Sequence, residues 1–377
     1  MNILQISYHT SPMNSLGVND GGGLNVYVEA ISKELAKDNT VHIITGEEAK
    51  NINKKNLKLS SFNLFSNQSN IYEKKDFLDE FINKTFQYIE EHEIDVVHAH
   101  YWLSGLVAKE IQQKYKIPFI FTSHSLGVFV QENGLERISA EKEIFNIADK
   151  ITASSKFEKD NLLNRYGVDK LKIHITTPGL DKKIFKAYRG VKRNNTILSV
   201  GRIQQQKGQL QTLDLFKSLQ HRIKGLELIF VGGPSGVDGD AYLNKMKNRI
   251  EELKIEEEVQ FLGSLSQKKL VKLMKKSMLL IHSAESETFG LVAIEAHRLG
   301  VPVLSTNQGS FKEIISNNEN GLVAKSFDDV QVYDFIIKLF EDDKYRSQVI
   351  NNAVKNSLVF NWEITAENLK KAYKNIT

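Results

Sequence analysis

Glu287 and Glu295 are the residues whose types and spacing most directly indicate chemistry, because a Phe-Gly turn and the start of an apolar helix lie between them. The preceding run Leu279-Leu280-Ile281 predicts a buried parallel strand. The first backbone N–H groups of the helix, at Gly290 and Leu291, can bind an anion. Helical side chains lean toward the N-terminus, so Glu295 would point back at that anion. A phosphate with carboxylates beside it fits a nucleotide sugar, whose hydroxyls donate to carboxylates.

The alternative for a single glutamate is a solvated acid on a surface helix, which is the commoner case. Glu295 lies between Ile294 and Ala296, however, in a run of apolar residues. A carboxylate in such a place needs a partner. The pattern therefore favours a binding role for Glu295.

Two cations lie in the loop after the predicted strand Ile197–Val200, namely Arg202 and Lys207. Arg as a planar fork and Lys as a point charge can together neutralise a diphosphate. Either residue alone would more commonly be a solvated loop cation. Their position at the end of a strand indicates the paired role.

Glycines follow two further strands. Residues 17–28 contain the run Gly21-Gly22-Gly23, followed by Asn25, and Gly232-Gly233 follows Ile229-Phe230-Val231. Glycine allows close backbone approach to a phosphate or sugar. The dinucleotide pattern Gly-x-Gly-x-x-Gly is absent, and a lone Gly-Gly turn is weak evidence.

Three histidines, His98, His100 and His124, follow or end predicted strands. No ligand-spaced cluster of Asp, Glu or His accompanies them, so a metal site is disfavoured. We expect one histidine to be packed and another to contact substrate.

Composition excludes several classes of function. The net charge of +4 is too small to indicate nucleic-acid binding. The absence of cysteine excludes thiol catalysis, disulfides and cysteine-ligated metals. No apolar segment has the length of a membrane span, and the start of the chain lacks a signal-like pattern, so a cytoplasmic protein is expected. The basic stretch 268–276 is interpreted as a solvated helix rather than a membrane anchor.

Strand-like and helical segments alternate throughout the 377 residues, which predicts an α/β protein with parallel sheets. This length favours two domains. A polar, basic stretch at 181–195 is the predicted linker. We therefore predict an N-terminal domain at 1–187 and a C-terminal domain at 188–360, with ligands bound at the carboxyl ends of the strands.

The spacing of Glu287 and Glu295 resembles the Glu-x7-Glu motif of retaining glycosyltransferases of family 4, including the continuation Gly300-Val301-Pro302-Val303. Arg202 and Lys207 have the spacing of that family's loop cations. The segment Asp20 to Tyr27 is similar to Asp-x-Gly-Gly-Met-Asn-Val-Tyr of one branch, with Leu24 in the Met place. That branch contains the mycothiol-pathway inositol-phosphate glycosyltransferases and relatives among the sucrose-phosphate synthases.

The resemblance implies the GT-B fold, in which two Rossmann-like domains face each other across a cleft and a last helix, here 361–377, packs back on the first domain. It implies UDP-sugar as co-substrate, with no cofactor required. Glu295 would bind ribose, Glu287 the sugar hydroxyls, and His124 would lie beside the donor sugar. Catalysis is assigned to Glu287, Arg202, Lys207 and His124, and donor binding to Glu295, Phe289, Gly290, Leu291, Gly22, Gly23 and Gly233.

The acceptor residues implied by the same branch are Asn25, Lys75, Tyr101, Ser125 and Arg137. In the branch, a Lys, a Tyr, a Thr and an Arg bind the acceptor's phosphate, and Ser125 stands here in place of the Thr. For Lys75 and Arg137, an ordinary surface charge is an equally good interpretation.

These residues together predict a retaining enzyme that moves a hexose, glucose or N-acetylglucosamine, from a UDP-sugar to a small hydroxyl acceptor. That acceptor is a polyol or sugar, with or without phosphate. A sugar-nucleotide epimerase or a phosphorylase on the same scaffold, or a non-catalytic sugar-nucleotide-binding subunit, are the alternatives. The oligomeric state is left open, a homodimer included.

Overall fold

Alternating strands and helices form two sheets, each the centre of its own compact unit. The structure is a computed structural model and describes residues 1–14, 22–129, 134–188, 190, 192–236 and 238–377. Among these, the first unit comprises residues 1–14, 22–179 and 362–377, and the second comprises residues 180–361.

The first unit contains an eight-stranded sheet in the order β3-β4-β2-β1-β5-β6-β7-β8, in which only the β3–β4 pair is antiparallel. Its strands are β1 (Asn2–Ile6), β2 (Thr40–Glu47), β3 (Ile52–Lys54), β4 (Leu57–Phe65), β5 (Val96–His100), β6 (Phe119–Thr122), β7 (Lys150–Ala153) and β8 (Ile173–Ile175). Its helices begin with α1 (Gly23–Leu35), α2 (Ile71–Lys75), α3 (Leu78–Glu90), α4 (Trp102–Tyr115), α5 (Gly134–Ile147) and α6 (Lys156–Tyr166).

The second unit contains a six-stranded parallel sheet in the order β11-β10-β9-β12-β13-β14. Its strands are β9 (Thr196–Val200), β10 (Glu227–Val231), β11 (Val259–Phe261), β12 (Leu279–His282), β13 (Val303–Thr306) and β14 (Gly321–Ala324). Its helices are α7 (Gln209–Leu219), α8 (Gly239–Leu253), α9 (Gln267–Lys276), α10 (Leu291–Arg298), α11 (Phe311–Ile314), α12 (Val330–Glu341) and α13 (Asp343–Asn356).

In both sheets the strand order reverses at one strand, which lies between two strands that both follow it in the chain. β1 lies between β2 and β5, and β9 lies between β10 and β12. The carboxyl ends of strands around such a switch point are where open α/β sheets bind ligands. The loops after β1, β5 and β6 in the first unit, and after β9, β12 and β13 in the second, are therefore the places to examine.

The chain passes from the first unit to the second between Gly179 and Leu180. Leu180 and Phe185 are buried in the core of the second unit. That unit therefore begins before residue 188, where composition placed its start, because Leu180, just before the polar stretch, and Phe185, within it, pack inward.

The last helix, α14 (Trp362–Lys374), belongs to the first unit and packs against α1. The rings of Trp362 and Tyr27 meet edge to face, 5.6 Å between centroids. Leu369 is completely buried. An ion pair of 2.8 Å joins Lys370 to Asp38. None of the helices in the described ranges combines the length and the apolar character needed to cross a membrane.

Leu369→Ala tests how far α14 stabilises the first unit. Removing a fully buried leucine leaves a cavity and should lower the free energy of unfolding by about 2–5 kcal/mol. Both tryptophans of the chain, Trp102 and Trp362, lie in the first unit. Urea unfolding followed by tryptophan fluorescence therefore reports on that unit.

Lys371→Ala is the matched control, because Lys371 lies on the exposed side of the same helix. Its unfolding midpoint should be close to that of the wild type. Equal midpoints for both variants would show that α14 adds nothing to the stability of the first unit.

Candidate active site

Glu287 follows β12, and the segment after the neighbouring strand β13 holds it in place. Gly309 has a φ of 113°, and a Cβ there would lie 2.3 Å from the carbonyl oxygen of Glu287, so only glycine fits. The N–H of Ser310 donates to that same carbonyl at 3.1 Å. The Ser310 hydroxyl donates to the carbonyl of Phe289 at 2.8 Å. The turn from Glu287 to Phe289 is thereby fixed from one side.

Gly290 ends this turn with a φ of 85°, and α10 begins at the next residue, Leu291. The ring of Phe311 packs so closely on Gly290 that a Cβ would meet it at 2.7 Å. The N–H groups of the first turn of α10 have no partner within the helix. The helix dipole adds positive character at the same end. This helix start has the geometry predicted for an anion site.

Lys207 forms an ion pair with Glu287, with 2.9 Å between Nζ and Oε2. Burial alone would raise the pKa of Glu287, but Lys207, with smaller contributions from His282 and Arg202, overcomes that effect and lowers it to about 2. Nε2 of His282 lies 3.4 Å from the same carboxylate oxygen. Glu287 is therefore ionised at neutral pH and can accept hydrogen bonds, but it is a weak base.

The loop that carries Lys207 is fastened to the loop that carries Glu287. Gly208 has a φ of 63°, and a Cβ there would lie 2.2 Å from the Ser283 carbonyl oxygen. The Ser283 hydroxyl donates to the carbonyl of Lys207 at 2.9 Å. The N–H of Glu285 donates to the Gln206 carbonyl, also at 2.9 Å. Adjacent strands β9 and β12 thus bring the predicted cation and carboxylate together.

Arg202 lies in the same loop and is partly exposed. Within the described ranges its guanidinium forms no ion pair, while its carbonyl accepts from Nε2 of Gln209 at 2.8 Å. The charge of Arg202 lowers the pKa of Glu287 by electrostatic attraction at a distance, without a direct contact. Arg202 therefore keeps its donors available for a ligand.

Glu295 lies in the second turn of α10 and has no hydrogen-bond partner among the residues that the structure describes. Burial raises its pKa to about 8. A carboxyl in this state gains from a ligand that donates hydrogen bonds to it. Its position is the one predicted for contact with a polyol.

Gly233 belongs to a loop that lies beside the Arg202 loop. The N–H of Ile203 donates to the Gly233 carbonyl at 2.9 Å. The N–H of Gly232 donates to the Gly263 carbonyl, also at 2.9 Å, and the rings of Phe230 and Phe261 stack with 5.2 Å between centroids. The loop after β10 and the segment after β11 therefore contact each other.

The three histidines singled out in the sequence, all in the first unit, join a buried polar network. His98 contacts the Tyr373 hydroxyl and the Thr122 hydroxyl, each at 2.7 Å. His100 lies 2.5 Å from Oε1 of Gln5 and 2.9 Å from Nε2 of His124. Burial lowers the pKa of His98 and of His124 to about 3, and that of His100 well below its usual value. All three rings are therefore neutral at neutral pH.

Three of the predicted acceptor residues meet in the first unit. Arg137 donates to the Ser125 carbonyl at 2.6 Å and hydroxyl at 2.9 Å, and to the Tyr101 hydroxyl at 3.3 Å. The guanidinium also stacks over the Tyr101 ring, 4.7 Å from its centroid. Its charge is balanced by the buried carboxylate of Glu141 at 2.7 Å. Lys75 pairs with Glu136, which precedes Arg137 in the chain.

Asn25 is buried, and its side chain is engaged. Nδ2 donates to the Thr10 hydroxyl at 2.9 Å and to the Ser11 carbonyl at 2.7 Å, and Oδ1 accepts from the N–H of Gly22 at 3.1 Å. These bonds hold the loop after β1 against the start of α1, at Gly23. The remaining glycines of that loop, Gly17 and Gly21, lie outside the described residues.

The sequence interpretation missed several residues that shape these sites. His282 could have been noticed as a polar end to an apolar strand, and Gly309-Ser310 as a glycine turn after a strand. Glu141 follows Arg137 at a helical spacing that favours an ion pair. Gln5 and Tyr373 carry no local signal.

Two family models match the chain. The model "Glycosyltransferase Family 4" matches residues 21–183, and "Glycosyl transferases group 1" matches residues 181–356. The chain belongs to the glycosyltransferases. The family-4 match covers most of the first unit, without residues 1–14 and α14, and the group-1 match covers most of the second unit.

Similar proteins cover nearly the whole of this glycosyltransferase. The D-inositol 3-phosphate glycosyltransferase of Corynebacterium glutamicum is 28% identical over 409 residues, which is 99% of this chain and 96% of that protein. The enzyme of the same name from Nocardia farcinica is 29% identical over 401 residues, 98% of this chain and 88% of that protein.

Solved structures share its fold. Sucrose-phosphate synthase from Thermosynechococcus elongatus superposes with a TM-score of 0.87 at 23% identity, over 100% of this chain and 98% of that one. Anabaena HepE in complex with UDP-glucose gives a TM-score of 0.78 at 18% identity, over 100% of both chains. The predicted fold class, two parallel-sheet α/β domains of GT-B type, is confirmed.

The neutral histidines predict how the stability of the glycosyltransferase's first unit varies with pH. An unfolded histidine titrates near pH ~6.5, whereas His98 and His124 have folded pKa values of about 3. Below pH ~6.5 the unfolded chain binds protons that the folded chain does not, so stability falls by about 1.4 kcal/mol per pH unit for each such group. Burial also lowers the pKa of His42 and His174 in the same unit, so Glu158, whose pKa burial raises, opposes five histidines.

Urea unfolding followed by tryptophan fluorescence at about pH 7.5 and about pH 5.5 measures this effect. Most unfolded-chain carboxylates stay ionised over that range, so the imidazoles dominate. The midpoint should move to lower urea at the lower pH. An unchanged midpoint would mean that the rings are charged in the folded protein.

Proposed function

We propose that this glycosyltransferase moves a hexose, glucose or N-acetylglucosamine, from a UDP-sugar to a small polyol or sugar, with retention of anomeric configuration. The observation that carries the proposal is the Lys207–Glu287 pair, with Arg202 in the same loop, at the ends of adjacent parallel strands. Anabaena HepE is solved in complex with UDP-glucose, and a structure described as trehalose-6-phosphate from E. coli is solved with UDP-2-fluoro glucose, which supports a UDP-sugar donor.

The second unit is proposed to bind the diphosphate with its cations and the start of α10. Lys207 would transfer its hydrogen bond from Glu287 to phosphate when the nucleotide sugar binds. Arg202 and the N–H groups near Gly290 would stabilise the charge that builds on the leaving diphosphate. The chemistry requires no cofactor in this proposal.

Glu287, released from Lys207, would accept hydrogen bonds from hydroxyls of the sugar, and Glu295 from the ribose hydroxyls. Phe289 and Leu291 would line the donor site on either side of Gly290, and Gly233 would let the backbone approach the base. Glu295, with its raised pKa, would lose its proton as the ribose binds.

Retention by double displacement would need a free carboxylate as nucleophile. Glu287 is paired with Lys207 before the donor binds, and in the proposed complex it accepts hydrogen bonds from sugar hydroxyls, so it is not assigned the role of nucleophile. We therefore propose attack from the face that the diphosphate leaves, with a diphosphate oxygen taking the proton of the acceptor hydroxyl.

The acceptor is proposed to bind in the first unit, at the cluster of Tyr101, Ser125 and Arg137, with Lys75 nearby. One relative is named for inositol 3-phosphate and a structural neighbour for sucrose phosphate, which supports a phosphorylated polyol or sugar as acceptor. Glu141 forms an ion pair with Arg137, and Glu136 forms one with Lys75. A phosphate would therefore have to compete with these two carboxylates.

The test is release of free nucleoside diphosphate from a panel of nucleotide sugars, with pooled phosphorylated polyols and sugars, with unphosphorylated ones, and with none. We expect release from a UDP-hexose that depends on one acceptor pool, and that pool decides whether the acceptor carries phosphate. Conversion of the donor to a different nucleotide sugar without any acceptor, and with no nucleoside diphosphate released, would indicate an epimerase instead. Donor binding without release under any pool would contradict the proposed acceptor class.

Lys207→Ala should lower turnover by roughly two to three orders of magnitude, because the leaving diphosphate loses a preorganised cation. Steady-state rates with the responding donor and acceptor measure this, with unfolding midpoints to confirm an intact fold. Lys268→Ala is the control, since Lys268 is an exposed lysine on α9 of the same unit. Near-normal turnover in Lys207→Ala would remove the diphosphate assignment.

A further inference from the structure

A chain of hydrogen bonds runs through the core of the first unit from α14 to His124. The Tyr373 hydroxyl accepts from Nε2 of Gln5 at 3.3 Å and lies 2.7 Å from Nδ1 of His98. Oε1 of Gln5 lies 2.5 Å from Nε2 of His100. Nδ1 of His100 lies 2.9 Å from Nε2 of His124. Gln5 is thus the junction between the last helix and the ring predicted to contact substrate.

The placement of the Gln5 amide gives this chain a direction. A carbonyl oxygen only accepts, so Nε2 of His100 carries the hydrogen. A neutral imidazole has a single N–H, so Nδ1 of His100 accepts and Nε2 of His124 donates. It follows that Nδ1 of His124 holds a lone pair and no hydrogen. Rotating the amide by half a turn would reverse each bond and place the hydrogen on that atom.

The other arm of the network takes its direction of donation from the amide. Because Tyr373 accepts from Gln5, its own hydrogen is directed at Nδ1 of His98, and Nε2–H of His98 then donates to the Thr122 hydroxyl at 2.7 Å. Thr122 in turn bonds to Thr152. Every described polar atom along this arm has a partner only in one direction of donation once the amide nitrogen faces Tyr373.

Packing alone does not explain a glutamine at this position. β1 lies between β2 and β5, and Gln5 is completely buried among fully buried strand neighbours such as Leu4 and Ile6. Central strands of parallel sheets are normally apolar, because a buried amide must have both its ends satisfied. An aliphatic residue would fill the same space without that requirement.

We propose that Gln5 is a positioning residue that fixes the tautomer of His124, so that Nδ1 accepts a hydrogen bond from a hydroxyl of the transferred sugar. The inference rests on the proposed function for the identity of the ligand, but not for the tautomer itself. His124 is partly exposed and has a positive φ of 59°, a backbone conformation that non-glycine residues adopt mainly where their surroundings hold them.

The tautomer can be observed directly in the full-length protein. With histidine labelled by ¹⁵N in the ring, long-range proton–nitrogen correlation spectra distinguish Nδ1–H from Nε2–H rings, and the His124→Gln variant identifies the signal. The wild type should show His124 with hydrogen on Nε2. Tyr373→Phe removes the acceptor that holds the amide nitrogen, and Gln5→Met removes the amide, so both should give a mixture of tautomers.

Thr152→Val is the matched control, because it removes one buried hydroxyl from the same network without touching Gln5, His100 or Tyr373. It should lower stability to a similar degree as Tyr373→Phe and leave the His124 tautomer unchanged. A purely structural role for the network would give all of these variants the same spectrum as the wild type.

The kinetic arm uses nucleotide sugars that each lack one hydroxyl of the hexose. For the analogue lacking the bonded hydroxyl, wild-type kcat/KM should fall roughly three- to tenfold. In Gln5→Met and in Tyr373→Phe, the ratio of kcat/KM for the parent donor to kcat/KM for the same analogue should be smaller than in the wild type. Thr152→Val should discriminate like the wild type.

The results separate this inference from the proposed function. If no nucleotide sugar is turned over by the wild type, the proposed function fails, while the spectra still decide the tautomer. A wild-type His124 with hydrogen on Nδ1 overturns the inference. So does an unchanged Nε2–H signal in both Gln5→Met and Tyr373→Phe, even when transfer is robust.

Discussion

A carboxylate that is largely withdrawn from water must be paired, and in the second unit Glu287 meets that requirement through Lys207. The two residues come from loops after different strands, so the pair exists only because β9 and β12 are adjacent and their loops lie within hydrogen-bond distance. Gly208 and Gly309 permit this approach, since any side chain at either position would collide with backbone. The close approach of the loops that form the ion pair thus requires glycine at positions 208 and 309.

The first unit solves a different problem, that of neutral polar groups in a core. Burial keeps His98, His100 and His124 uncharged, and each of the three rings forms hydrogen bonds to neighbouring polar groups. The cluster around Arg137 in the same unit does contain charges, but the Glu141 carboxylate forms an ion pair with the Arg137 guanidinium and balances its charge. The two units therefore present different chemistry to a ligand: unneutralised positive charge around Arg202 and α10 in one, and balanced polar groups in the other.

Periodicity and turn residues were sufficient to predict the α/β class and the strand–turn–helix segment around Glu287, because these depend on neighbouring residues. The pairing of Lys207 with Glu287 was not predicted, although both were singled out, because strand order decides it. The same holds for Gln5 and Tyr373, which contact each other across 368 positions of sequence. Asn25 was expected to face an acceptor, and its hydrogen bonds to Thr10 and Ser11 depend on loop conformation that composition does not encode.

The return of α14 to the first unit has a consequence for biosynthesis. β1 is synthesised before the second unit and α14 after it, so Gln5 and His98 have no Tyr373 to contact until the second unit has been translated. The second unit, whose described residues all lie between 180 and 361, can complete its core earlier. The first unit to be synthesised is therefore the last to be finished, and a nascent chain interrupted before residue 362 carries buried polar groups that no other described residue satisfies in the same way.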